Sequence, residues 1–195
     1  LILDMVLTIV ITFPVALTTT GNMTFPPVGI TYKWFVKAFE DTILMDTLMR
    51  SMYLALLSAA VAVFFALLAS FAIERTDFPG KNLVETIFAG PRMIPLIILV
   101  LALLIFYERL GLAETFTGLL LSHLIISLPF AFRTLLVSVS ALDKRLEWSA
   151  QILGANVFQT FFKITLPQIK TGMIAAFIFT FILSFNNVTM ALFLS

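Results

Sequence analysis

The chain has no cysteine and a single histidine among its 195 residues. Disulfides and thiolate chemistry are thereby excluded, and one imidazole leaves little for a metal site. Charge is scarce as well: Asp, Glu, Lys and Arg supply 12% of the residues against 61% apolar, and the mean hydropathy is +1.08. So few charges cannot cover a water-soluble globule, and the chain reads as an all-α integral membrane protein. A net charge of +1 argues against a nucleic-acid partner. The signatures of common chemistry are missing too. There is no G-x-S-x-G, no H-E-x-x-H, no pair of membrane aspartates and no G-x-x-x-x-G-K phosphate loop. If ATP drives this protein, its ATPase must be another subunit, and no cofactor is expected in the chain itself. The sequence lacks an initiator Met and begins inside an apolar run, so the expectation is a missing start rather than a processed leader.

What is present is a series of apolar runs separated by short polar stretches, with no internal repeat. A bilayer core about 30 Å thick needs roughly 20 apolar residues of helix. Met5 to Leu17 is too short alone and reads as part of a first span. Gly21, Asn22, Pro26 and Pro27 mark a loop. From Thr31 to Asp46, Tyr32, Trp34, Phe35 and Phe39 interleave with Lys33 and Lys37, as expected of a helix lying at headgroup level. Ser51 to Ile73 carries no charge and is the clearest span. After a polar turn over 74–82, a third span is expected from about Val84 to Tyr107, bent by Pro91 and Pro95. A fourth follows from about Thr115 to Val139 with Pro129 near its middle, and a fifth from Thr171 to Leu194. Loops 74–82 and 140–170 hold Arg75, Lys81, Lys144, Arg145, Lys163 and Lys170, whereas Lys33, Lys37 and Arg109 lie in the opposite loops. Positive residues favour the cytoplasm, so the 140–170 loop faces inward.

That loop, Leu142 to Pro167, is the one long polar interruption in the second half. Asp143 is a good N-cap, and Leu146, Ala150 and Leu153 then recur on one helical face. Gly154 stops that helix, because glycine tolerates a backbone turn that other residues resist. Asn156 with Gln159 has the form of a capping box and opens a second helix through Phe158, Phe161 and Phe162. Pro167 is expected to close it. The product is a helix-turn-helix with an apolar side and a charged side.

Glu147, Ser149, Ala150, Gly154, Ile164, Leu166 and Pro167 resemble the Glu-Ala-Ala loop of ABC importer permeases, E-x-A-A-x-x-x-G followed by nine residues and I-x-L-P. Ser149 stands where the family prefers alanine, and Trp148 where it usually has a polar or charged residue. Weaker matches extend over most of the chain: Phe25-Pro26-Pro27 with Tyr32-Lys33-Trp34, Phe78-Pro79-Gly80-Lys81, Ser122-His123, Leu128-Pro129-Phe130 with Arg133, and Leu183-Ser184-Phe185. These resemble the spermidine/putrescine branch. The resemblance implies a type I importer transmembrane fold in a single permease domain over residues 1–195, truncated at both ends, with about five spans present and a sixth after Ser195. It implies a multi-pass protein of the bacterial inner membrane. Its partners would be a second homologous permease, a cytoplasmic ATPase dimer that binds ATP and magnesium, and an external solute-binding protein. The loop 142–167 would be the coupling helix, with Glu147, Ser149, Ala150, Gly154, Ala155, Phe158, Leu166 and Pro167 as coupling residues. ATP binding would pull the two coupling loops together and switch the pathway between outward and inward access.

Within the loop, Glu147 either stabilises the loop's own fold, meets a basic group on the ATPase, or is simply solvated. Phe158, Phe161 and Phe162 either pack back on the spans or fill the ATPase groove. For the pathway the candidates are Asn186, Asn187, Ser184, His123, Arg92 and Pro129. Asn186 and Asn187 are read inside the fifth span, where two adjacent amides need partners, either the solute path or a neighbouring helix. The relatives often have acidic residues there, which suit a polyamine; amides weaken that carry-over. His123 is either a packing histidine or a solute ligand. Arg133 can snorkel to the inner surface, and Arg92 lies deeper. The solute is first expected to be polyamine-like, with an opine, amino acid, organophosphonate or ferric iron as alternatives. Two other classes compete: an intramembrane enzyme built on Ser122, His123 and the asparagines, whose spacing lacks a base–nucleophile pattern, and a stand-alone secondary carrier, which would usually show a repeat.

Overall fold

A computed structural model describes residues 2–21 and 26–194, without the side chains of residues 2–5, 8, 9, 89, 92 and 93. Phe25, part of the resemblance, lies outside the described residues, as does the Arg92 side chain. The chain falls into two compact units, residues 1–50 and 51–195.

In the first unit, α1 (Ile2–Ala16) is followed by a loop and by α2 (Lys33–Glu40). Thr19 N–H donates to the Val28 carbonyl (3.0 Å) and Thr31 N–H to that of Leu17 (2.8 Å), which closes the loop on itself. The Trp34 indole donates to the Thr18 carbonyl at 2.9 Å, and Lys37 Nζ lies 5.4 Å from the Trp34 ring centre. The α2 helix buries no residue. It is shorter than the 31–46 stretch, because Asp41 leaves the helix and its carboxylate accepts from Leu44 N–H (3.0 Å), starting α3 (Thr42–Arg75).

Among the described residues, three helices are long and apolar enough to cross a bilayer: α3, α6 (Phe116–Ser140) and a continuous helical run over Val157–Phe185. Even the shortest, 25 residues, is about 38 Å long, against about 30 Å of hydrocarbon. Their contact faces are made of small side chains. Ala55, Ser58, Ala59, Ala62, Ala66 and Ser70 recur at helical spacing on α3 and are all buried, which lets backbones approach closely. Phe132 and Leu135 of α6 fill the space against Ala62, Ala66 and Ala176. On the outside, Phe64, Phe65, Leu68, Ile178, Phe179 and Ile182 are exposed, a surface that hydrocarbon covers and water does not.

The third and fifth predicted spans are broken. Pro91 and Pro95 divide the third into α4 (Lys81–Ala89), a 3-10 turn Gly90–Met93, and α5 (Leu96–Leu110), since neither proline can donate within a helix. The fifth consists of α9 (Leu166–Phe185) and α10 (Val188–Leu194), separated at Asn186 and Asn187. Between α6 and α9 stand α7 (Lys144–Ile152) and the single turn α8 (Val157–Thr160). Pro167 does not close the second helix of the loop. A wide π-type turn, Phe161–Thr165, carries α8 into α9, with Leu166 N–H reaching back five residues to the Phe161 carbonyl. The widened coil gives the Pro167 ring its room, and Gln168 Nε2 donates to the Ile164 carbonyl (3.0 Å) at the same turn.

Candidate functional site: a helical hook tied to two spans

The hook is specified locally. Asp143 caps α7, its Oδ1 accepting from Arg145 N–H at 3.0 Å. Beyond Ile152 the chain makes a Schellman turn: Gly154 N–H donates to the Gln151 carbonyl (3.0 Å) and Ala155 N–H to that of Ala150 (3.0 Å). Gly154 has φ +89° and a Cβ there would meet nothing within 4 Å, so the glycine is needed for backbone conformation and not for space. Asn156 and Gln159 form the expected capping box, with reciprocal bonds of 2.9 and 3.1 Å.

Glu147 is the charged centre of the hook, and it is satisfied within the chain. Its Oε2 lies 2.7 Å from Arg75 Nη1 and its Oε1 accepts from Arg75 Nη2 at 2.8 Å, a two-pronged pair, while Thr165 Oγ1 donates to Oε1 at 2.6 Å. Arg75 is the last residue of α3 and Thr165 the last before α9, so one carboxylate binds α7 to both spans. Its side chain is 13% exposed, which excludes a freely solvated role. The Arg75 guanidinium also lies 6.0 Å from the Phe71 ring, and Phe71 meets Phe161 edge-on at 5.8 Å between ring centres. Arg75 and Thr165 were not singled out by sequence reasoning; they lie 72 and 18 residues from Glu147, beyond any local pattern.

The three phenylalanines separate. Phe161 packs inward on Phe71, whereas Phe158 and Phe162 are 76% and 60% exposed. Leu146, Trp148, Ile152, Leu153 and Val157 are exposed as well, so the hook carries large apolar side chains that this chain leaves uncovered. Ser149 is exposed and its hydroxyl donates to the Arg145 carbonyl (2.8 Å). Ala150, Gly154 and Ala155 line a cavity of about 260 Å³ with Gln159, Lys163 and Ile164. Leu166 packs against the buried cluster of Val139, Leu142 and Ile169, and Pro167 faces outward.

The pathway candidates do not form one open surface. His123, Ser184 and Pro129 are buried inside the bundle. His123 Nδ1 lies 2.8 Å from Ser184 Oγ, and Ser184 Oγ lies 2.8 Å from Ser58 Oγ. Asn187 stands in the break between α9 and α10, where its Oδ1 accepts from Met190 N–H at 3.1 Å and caps α10. Asn186 ends α9 and is exposed. Ser122 bonds the Gly118 carbonyl (2.8 Å) and Tyr107 (3.3 Å) rather than His123, so the serine–histidine pair of the enzyme reading does not form. Among the described residues, no group of three His, Cys, Asp or Glu could hold a metal ion.

The geometry is thus a helical bundle with apolar helices long enough to span a membrane and a capped hook leading into the last of them. The fold is that of a chain in the crystal structure of a bacterial ABC transporter involved in the import of the acidic polysaccharide alginate, with a TM-score of 0.69 and 16% identity over all of this chain and 74% of that one. The family described as "Binding-protein-dependent transport system inner membrane component" matches residues 62–195, and the chain belongs to it. Similar relatives, each 30% identical, are the molybdate/tungstate transport system permease protein WtpB of Pyrococcus abyssi, the trehalose transport system permease protein SugB of Mycobacterium tuberculosis and the spermidine/putrescine transport system permease protein PotC of Escherichia coli. They match over 78%, 85% and 86% of this chain, which spans 62%, 61% and 63% of their lengths.

Proposed function

We propose that the chain forms half of the solute pathway of an ATP-driven importer and is moved by a separate ATPase through residues 142–167. The observation that carries this reading is the pairing of opposite properties in the hook. Its charged centre at Glu147 is sealed against Arg75 and Thr165, while Ile152, Leu153, Phe158 and Phe162 are exposed. An ATPase groove covering Ile152, Leu153, Phe158 and Phe162 would bury those side chains. The Glu147 pair would then carry a displacement of α7 into α3 and α9 together, because a two-pronged ion pair resists rotation as well as separation. The expected partners are a second permease of the same family, an ATPase dimer and an external binding protein. Asn186 is the exposed pathway candidate; the relatives are named for polyamine, sugar and oxyanion transport, and a polyamine-like cation is our first choice here.

The test is co-purification. Full-length permease extracted from native membranes should bring MgATP hydrolysis with it, and replacing both Ile152 and Phe158 by serine should cut that activity at least about tenfold, the loss expected when two buried apolar anchors are removed. Purified permease alone should hydrolyse nothing. Full hydrolysis with the double variant would overturn the assignment. The solute is then found by the compound that raises the melting temperature of the co-encoded binding protein.

A further inference from the structure

Ser58 on α3, His123 on α6 and Ser184 on α9 form a polar chain across three spans whose other contacts are almost all apolar. All three residues are nearly inaccessible, with relative exposures of 0%, 3% and 4%. Counting hydrogens orders the chain. Ser58 Oγ lies 3.1 Å from the Ala55 carbonyl and 2.8 Å from Ser184 Oγ, yet it has one hydrogen to give. His123 Nε2 has no partner, whereas Nδ1 is 2.8 Å from Ser184 Oγ. If Ser184 donated to Nδ1, the neutral ring would carry its hydrogen on Nε2 and bury a donor with nothing to receive it. In the opposite direction Nδ1–H donates to Ser184 Oγ, which also accepts from Ser58 Oγ, and Nε2 is left as an unused acceptor rather than an orphan donor. Buried orphan donors are rarer than under-used acceptors, so the second order is favoured.

The location of this chain gives it a purpose. Ser184 is two residues before Asn186, where α9 ends, and Asn187 caps α10. Hydrogen bonds of this kind in place of apolar contacts fix a helix in rotation as well as in distance. We propose that His123 is a positioning residue which, through Ser184 and Ser58, locks the turn between α9 and α10 to α3 and so sets where Asn186 stands in the bundle. Its consequence for solute passage rests on the permease reading, but the lock itself does not.

Amide hydrogen exchange on full-length protein in lipid nanodiscs tests it. His123→Ala and Ser184→Ala should each speed exchange over residues 186–194 by roughly tenfold, the change expected from one lost hydrogen bond, and leave α7 and α8 unchanged. Asparagine places a side-chain nitrogen where Nδ1 stands and has nothing at Nε2, whereas glutamine does the reverse; His123→Asn should therefore restore protection and His123→Gln should not. Unchanged exchange in His123→Ala, a rise spread evenly over every span, or rescue by Gln instead of Asn would each overturn the proposal. No ATPase is needed, so failure of the importer reading, seen as an absent co-purifying activity, is a separate result.

Discussion

Arg75 and Glu147 face each other with both guanidinium nitrogens on both carboxylate oxygens, at 2.7 and 2.8 Å, joining the end of α3 to the middle of α7. A hook attached only by its two chain ends could swing without moving the bundle. This pair, with Thr165, removes that freedom.

Removing either partner leaves the other charge largely shielded and unpaired. Arg75→Gln and Glu147→Gln should each lower stability by about 1 to 3 kcal/mol, read as a fall in melting temperature in detergent. The double variant should cost less than the sum of the two, with a coupling of about 0.5 to 3 kcal/mol in a double-mutant cycle. Strict additivity would mean that the pair does not hold the hook.

Gly154 makes a different demand. Because its φ is +89° and no atom lies within 4 Å of a built Cβ, Gly154→Ala and Gly154→Leu should be similarly harmful, each by about 1 to 2 kcal/mol, although leucine is far larger. Gly154→Asn should be milder, since asparagine visits the left-handed region more readily. ATP-driven transport in the assembled importer should follow the same order. Harm that grows with side-chain volume would point to a steric role.

Gly172 is the reverse case, a glycine required for space. A Cβ there would collide with the Ser138 side chain, where α9 passes α6. Gly172→Ala should destabilise by about 1 to 3 kcal/mol. Ser138→Gly, which clears both clashing atoms, should recover a substantial part in the double variant, whereas Ser138→Ala, which keeps its Cβ, should recover less. Melting curves of the four proteins decide it.

The features that were legible in the sequence are those whose cause is local. Asp143, Gly154 and the Asn156–Gln159 box each act within a few residues, and each stands where its chemistry requires. Ser51 to Ile73 was legible because an uncharged run of that length has few other readings. The partner of Glu147 was not, since nothing near Glu147 or Arg75 marks them as a pair. The same holds for His123 and Ser184, which are 61 residues apart. Pro167 obeys the local rule for proline only in part: the rule holds for a regular α-helix, and the turn before it is wider. Asn186 and Asn187 were read as two amides inside one long span, whereas they are the end of one helix and the cap of the next.

The most direct test of the central claim is a crosslink. These 195 residues hold no cysteine, so Phe158→Cys places one thiol among them, and the parent protein treated in parallel sets the background. With a reagent that carries a maleimide at one end and a photoreactive benzophenone at the other, which inserts into C–H bonds of any neighbour on illumination, the assembled importer should give a permease–ATPase adduct through that thiol, and its yield should change when the ATPase is trapped with nucleotide. An unchanged permease band, together with labelling of the same thiol by an impermeant reagent added outside the cell, would place the hook on the wrong side of the membrane and contradict the account.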